Sequence, residues 1–304
     1  MSALLLALVP LLLAALAGGL SRRSSHRLSP RAATVLLTVL AVSAALATGL
    51  LLCLAAVVSV SELAPALTLH HWSPARLRRL LPLPAGLGLG TGVLAATLLA
   101  SAAVHARRVL GQLHRSQQAA RSLVPAGDDL VVLADQAAIA YALPGRPGRV
   151  VLSTGLLQAL SAPQRRAVLA HEVAHLRHHH YIYVQLGRLA TAANPLLRPV
   201  SRTIELAVER WAVEVAADPL GDRAVVAHAV ARAAGAARIA PPVALALAET
   251  DVVTRVRSLV HPVRPQRLLP LAYAVAIAGI WLSSLIVLAQ VHALMELAEA
   301  VAPR

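Results

Sequence analysis

Long uncharged apolar stretches alternate with polar segments along this chain. Four apolar stretches, at residues 2–20, 32–60, 82–104 and 268–294, approach or exceed the ~20 residues that a helix needs to cross a bilayer. The pattern therefore predicts about four transmembrane helices, three of them in a segment 1–104. Residues 105–267 form a polar block before the last span, and residues 295–304 form a short tail.

Shorter patterns within the polar block predict a mixed α+β domain. Ser161, with Pro163 and Gln164 behind it, is typical of a helix start. Asn194-Pro195 interrupts the weakly polar residues 181–200, which we interpret as a helix pair that contacts the membrane. The remaining predicted elements are strands at 129–135, 137–143 and 149–153, a short helix at 155–160, the helix that follows Ser161, and a helix at 203–217.

Composition supports a membrane protein. The chain is 58% hydrophobic, only 14% charged, and has a mean hydropathy of +0.68. Its net charge of +14 does not indicate nucleic-acid binding, because aromatic residues make up 2% and offer few stacking platforms. Four arginines lie in the short segment 21–31, which predicts that this loop is cytoplasmic. From an N-terminus outside, three spans then place residues 105–267 in the cytoplasm and the tail outside the cell.

The main chemical signal is the pentapeptide from His171 to His175, with Glu172 as its second residue. Two histidines four residues apart lie on one face of a helix, about one turn from each other. Both imidazoles can then bind one zinc ion, and Glu172 can act as base on a water molecule at that ion. The single cysteine, Cys53, lies in an apolar stretch and indicates no cysteine-based metal site.

A hydrolytic zinc site needs a third protein ligand. A metzincin pattern would place a histidine where Tyr181 stands, so that pattern fails. A later helix offers three carboxylates, and we choose Glu214 because Asp218 lies four residues on, on the same helical face. Asp218 can accept the free N–H of a ligand histidine. Glu209 is the reserve candidate and Glu205 a weaker one, since both are expected on a solvated face that pairs with Arg202 or Arg210.

Two further groups of residues complete the predicted site. His228 and Arg210 are the main candidates to stabilise the oxyanion of a tetrahedral intermediate, and His178 and His179 are further candidates. We interpret the run from His178 to His180 as a basic, partly exposed helix end, since histidine is favoured at helix C-termini.

The helix that bears His171, Glu172 and His175, together with the segment from Glu214 to Asp218, resembles the BlaR/MecR-type membrane metallopeptidases of bacteria. The resemblance covers roughly residues 105–267. It implies Zn²⁺ held by His171, His175 and Glu214, Glu172 as base, a cytoplasmic catalytic domain, and a winged-helix repressor as substrate. The chain is expected to depart from the best-known members in lacking the penicillin-binding sensor that follows their last span. HtpX-type quality-control proteases are similar in the same motifs, but they usually place clear spans between them.

The sequence thus predicts a mainly α multi-pass protein of the bacterial cell membrane, with a cytoplasmic α+β zincin-like metallopeptidase domain inserted before the last span. Its predicted activity is zinc-dependent endopeptidase cleavage of a protein substrate, in a signalling pathway. The alternatives are a quality-control protease and a non-catalytic, zinc-stabilised scaffold. The predicted partners are the lipid bilayer and the protein substrate, without direct nucleic-acid binding.

Overall fold

The computed structural model describes residues 2–63, 85–122, 130–217, 225–226, 229 and 266–299. The helices are α1 (Ser2–Ser24), α2 (Pro30–Leu63), α3 (Ala85–Ser122), α4 (Thr154–Ala159), α5 (Ala162–Arg177), α6 (His180–Ala193), α7 (Arg198–Ala217) and α8 (Leu269–Glu299). The strands are β1 (Leu130–Leu133), β2 (Ala140–Leu143) and β3 (Arg149–Ser153). Single 3₁₀ turns at Ser25–Arg27 and Pro195–Leu197 precede α2 and α7.

Among the described residues, three helices are long and apolar enough to cross a membrane. The qualifying stretches are Pro30–Ala56 in α2, Gly90–Ala119 in α3 and Leu269–Ala293 in α8. They agree with three of the four predicted spans. The predicted first span forms helix α1, which is not among the three, and the predicted loop 61–81 lies largely outside the described residues.

Helix α3 runs further than the sequence pattern predicts. The predicted third span ends at residue 104, where the first charged residues approach, but the helix continues to Ser122. Arg107 and Arg108 are exposed on its surface and do not interrupt it, because arginine is a good helix former and no proline or glycine pair follows. The predicted boundary between residues 104 and 105 therefore falls inside a continuous helix.

Helices α6 and α7 pack directly on the apolar helices and share one core with them. Val184 of α6 and Ile204 and Val208 of α7 are fully buried in the same cluster as Leu37 of α2 and Ile280 of α8. The predicted break at Asn194 is present. Its side-chain amide donates to Thr48 Oγ1 of α2 at 3.2 Å, and its Oδ1 accepts the N–H of Leu196. The region 181–200 is thus a helix connection fixed against a candidate span.

The three strands form one small sheet in the order β1-β3-β2, with β3 parallel to β1 and antiparallel to β2. Ser153 N–H donates to Ile139 O, so the backbone carbonyl of Ile139 points toward β3. Because pairing alternates along an antiparallel ladder, Ala140 and Ala142 direct their backbone groups to the other edge of β2, which pairs with no strand among the described residues and is called the free edge below. A second core of small and branched side chains, including Val150, Val168 and Val213, joins the sheet to α5 and α7.

Helix α5 begins and ends as its sequence indicates. Gln164 Oε1 accepts the N–H of Ser161 at 3.0 Å, which completes the predicted start, and Pro163 occupies the first turn. The helix ends because His179 adopts a left-handed conformation with φ of 50°. The chain then reverses into α6 at His180, and this turn sets the position of α6 relative to the metal-binding motif.

Gly187 of α6 lies close to α7, and it provides a test of this packing. A Cβ there would lie 3.1 Å from Ile204 Cδ1 and 3.3 Å from Ser201 Oγ. We expect Gly187→Leu to lower the free energy of unfolding by about 1–3 kcal/mol, because overpacking forces the helices apart. Thermal unfolding of the purified protein in detergent measures this. Gly111→Leu is the matched control, since no described atom lies within 4 Å of that Cβ position, and an equal loss in both variants would contradict the assignment.

Candidate metal centre

Three side chains from two helices meet in a buried cluster. His171 and His175 come from α5 and Glu209 from α7, and their exposed fractions are 3%, 9% and 7%. His171 Nε2 and His175 Nε2 are 3.1 Å apart. Glu209 Oε2 lies 3.6 Å from His171 Nε2, and Glu209 Oε1 lies 3.7 Å from His175 Nε2. Two imidazoles and a carboxylate in this arrangement can hold one divalent metal ion.

The sequence pattern explains why α5 presents both histidines on one side. His171 and His175 are one turn apart, and Ala167, Val168 and Ala174 are also buried where the helix packs on its neighbours. The crossing of α5 with α7 then decides which carboxylate reaches the histidines. That crossing is fixed by apolar contacts, which include Val168 and Val213.

Glu209, the reserve candidate, occupies the position that the sequence analysis assigned to Glu214. Five residues separate the two, so their side chains leave α7 about 140° apart and cannot both face one ion. Glu214 is half-buried and is not part of the cluster. The expectation that Glu209 lies on a solvated face is wrong. Its own face continues through Val213 and Ala216, both buried, and an acid on that apolar face was the signal for a ligand.

Glu172 lies beside the cluster and is held by the sheet. The Ala142 N–H, on the free edge of β2, donates a hydrogen bond to its carboxylate. Burial raises the pKa of Glu172 to about 7, the charge of Glu209 adds to this rise, and His171 and the Ala142 bond oppose it. A carboxyl group with this pKa can take up and release a proton near neutral pH.

The other predicted site residues have different surroundings. Glu205 pairs with Arg188 of α6, whose Nε lies 2.8 Å from Glu205 Oε1, and not with Arg202 or Arg210. Arg210 Nη1 donates to the Ser25 carbonyl at 3.1 Å and thereby ties α7 to the connection between α1 and α2. Asp218 and His228 lie outside the described residues, so their predicted roles stay predictions.

The histidine run agrees only in part with the predicted basic, partly exposed helix end, because α5 does end at Arg177 but the third histidine is buried. His180 is only 1% exposed, and His178 stacks on Trp211 with ring centroids 4.9 Å apart. Burial lowers the pKa of His180 far below its usual value, and the neighbouring His175 lowers it further. Only His179 is exposed among the three. The run is therefore a turn packed against the metal-site helices.

Comparison with known families agrees with this site. Residues 108–275, more than half of the chain, match the model of peptidase family M48. The chain belongs to peptidase family M48. The matched range contains the whole cluster of His171, His175 and Glu209, so this M48 protein is a metallopeptidase. The chain matches no curated protein and no solved structure at a significant level, and the narrower BlaR/MecR-type resemblance stays a prediction.

Metal content distinguishes the candidate carboxylates of this M48 protein. We expect Glu209→Ala to lose stoichiometric divalent metal, because it removes one of three buried donors and leaves two imidazoles without a carboxylate. Elemental analysis of the purified protein measures the metal per chain. Glu214→Ala and Glu205→Ala are matched controls on the same helix and should keep their metal. Loss of metal in Glu214→Ala with retention in Glu209→Ala would show that Glu214, the carboxylate chosen from the sequence, is the ligand.

Proposed function

We propose that this M48 metallopeptidase is an integral-membrane zinc endopeptidase in which His171, His175 and Glu209 hold the metal and Glu172 is the general base. The observation that carries the proposal is the buried cluster of two imidazoles and one carboxylate with a further carboxyl group beside it. A set of three protein donors that leaves one position open is typical of catalytic zinc and differs from closed structural sites.

The spacing of the donors supports zinc. Two donors bound at 2.0–2.1 Å to one tetrahedral zinc lie about 3.4 Å apart. The separations of 3.1, 3.6 and 3.7 Å, in which Glu209 uses Oε2 toward His171 and Oε1 toward His175, lie on both sides of that value. Imidazole and carboxylate are also donors that zinc accepts readily. The residues therefore fit the metal without rearrangement of either helix.

The chain's own groups account for the proton transfers of peptide hydrolysis. Zinc, when bound, would polarise the scissile carbonyl and make a water molecule more acidic. Glu172 would take the proton of the attacking water and return it to the leaving amine. The Ala142 N–H keeps the Glu172 carboxylate directed to this position. Arg210, one of the predicted oxyanion donors, is engaged with the Ser25 carbonyl.

A polypeptide substrate fits the strand next to the site. Ala140 presents its backbone N–H and carbonyl, and Ala142 its carbonyl, at the free edge of β2, while the Ala142 N–H is used by Glu172. An extended peptide can add to such an edge as a further strand, with its backbone hydrogen-bonded near the catalytic carboxylate. This edge favours an endopeptidase over an enzyme that acts on small molecules.

The site is on the same side of the apolar helices as the arginine-rich connection between α1 and α2. Arg210, next to Glu209, bonds to Ser25, and Arg31 lies 5.9 Å above the Trp211 ring. Gln266, just before α8, donates to the Arg27 carbonyl. Because the positive-inside rule favours a cytoplasmic location for this connection, these contacts support a cytoplasmic active site.

For the substrate we propose a winged-helix repressor, as the BlaR/MecR-type resemblance implies, with misfolded membrane proteins as the alternative. The two can be distinguished in cells that produce a catalytically inactive chain. Accumulation of an uncleaved winged-helix protein, with the membrane proteome unchanged, would support the repressor. Accumulation of damaged membrane proteins would support quality control.

Substitution of Glu172 by Gln tests the catalytic role. We expect cleavage of an unfolded casein probe, and any self-cleavage, to fall by about 10²–10⁴-fold, because the proton acceptor is lost. Zinc content should stay at the wild-type level, since Glu172 is not a ligand. Glu214→Gln removes the same charge outside the cluster and should retain activity. Full proteolysis by Glu172→Gln would show that this carboxylate is not the base.

Labelling of single cysteines tests the topology. In a Cys53→Ala background, His26→Cys reports on the connection between α1 and α2, and Arg166→Cys reports on α5; both positions are exposed. We expect a membrane-impermeant maleimide to label both in inverted vesicles and neither in intact cells. Labelling of the two positions from opposite sides would contradict the shared location of the loop and the site.

A further inference from the structure

His180, the first residue of α6, contacts the cluster through His175. Its Nδ1 lies 3.2 Å from His175 Nδ1, and the two rings meet edge to face with centroids 5.0 Å apart. His175 directs its other nitrogen, Nε2, to Glu209 and His171. His175 is therefore held between the proposed metal position and His180.

This contact determines where the protons of both rings lie once His175 binds a metal. A metal-bound Nε2 leaves the proton of neutral imidazole on Nδ1. His175 Nδ1–H must then donate, and His180 Nδ1 must accept. His180 consequently carries its own proton on Nε2, an atom that has no hydrogen-bond partner among the described residues.

The fold holds His180 firmly in this position. Its ring centroid lies 4.7 Å from that of Trp211 on α7, two residues beyond Glu209. His178 stacks on the same indole, and the left-handed His179 between them makes the turn. With an exposed fraction of 1%, the imidazole is shielded from bulk solvent. A buried nitrogen without a partner is costly, and the hydrogen bond between His180 Nδ1 and His175 offsets part of that cost.

We propose that His180 is a positioning residue that accepts the Nδ1–H of His175 and so fixes the tautomer and ring orientation of this ligand. The proposal rests on the zinc site of the proposed function. In zinc sites this acceptor is commonly a carboxylate, a backbone carbonyl or a water molecule, and the sequence analysis assigned the role to Asp218. Here a neutral imidazole takes it for His175. A neutral acceptor makes the ligand less electron-rich than a carboxylate would, so His180 serves orientation more than basicity.

The full-length protein in detergent allows a direct test with three substitutions at this position. Asn places its Oδ1 close to where Nδ1 of histidine lies and can accept the same hydrogen bond. Gln places its polar group farther out, near Nε2, and Leu offers no acceptor. We expect His180→Leu and His180→Gln to weaken zinc binding by about 10–100-fold, as measured by chelator competition. His180→Asn should stay close to the wild type.

The visible absorption of the Co²⁺-substituted protein gives a second readout, independent of proteolysis. The ligand-field bands should shift in His180→Leu, because the His175 ring is no longer held, and should return in His180→Asn. His178→Asn is the matched control, since His178 lies in the same turn against Trp211, and it should change neither readout. Equal loss of zinc affinity in the Asn, Gln and Leu variants would show that His180 only packs against its neighbours, and would overturn the proposal.

The outcomes also separate this proposal from the zinc site itself. A wild type that binds no zinc overturns both. A wild type that binds zinc, together with His180→Leu of unchanged affinity and unchanged Co²⁺ spectrum, overturns only the role of His180. If the Leu variant does not fold, the comparison of Asn with Gln still decides, because both are polar and only one presents its acceptor at the Nδ1 position.

Discussion

The structure depends on holding three buried polar side chains close to one another. Two imidazoles from α5 and a carboxylate from α7 lie 3.1–3.7 Å apart with almost no exposure to solvent. Polar groups buried in this way are costly unless something compensates them. Bound zinc would supply that compensation, and the apolar contact of Val168 with Val213 and its neighbours keeps the two helices at the required crossing.

Helix α7 couples the metal centre to the apolar helices. One face carries Glu209, while Ile204 and Val208 are buried in the core shared with α2 and α8. The Arg210 bond to Ser25 fixes the same helix to the connection between α1 and α2. The peptidase site of this M48 protein is therefore not an independent globular unit. Its geometry depends on the packing of helices that are apolar enough to cross a membrane, so a change in that packing would reach the ligand set through α7.

The turn from His178 to His180 and the edge of the sheet support the site from opposite sides. On one side His180 and Trp211 pack behind His175. On the other, β2 holds Glu172 through the Ala142 N–H and presents a free backbone edge. The proposed base and its substrate strand are thereby fixed by one short element.

The sequence by itself determined what local patterns control. The length of the apolar stretches predicted the three candidate spans. The pattern around Ser161 predicted the start of α5, and a four-residue spacing placed His171 and His175 on one face of that helix. The third donor was not a local property. The sequence offered Glu205, Glu209 and Glu214, and although the apolar face of Glu209 favours it, only the packing of α7 against α5 decided that Glu209 meets the histidines. The role of His180 likewise required the tertiary structure, because a left-handed turn at His179 folds it back against His175, and helical periodicity alone does not predict that reversal.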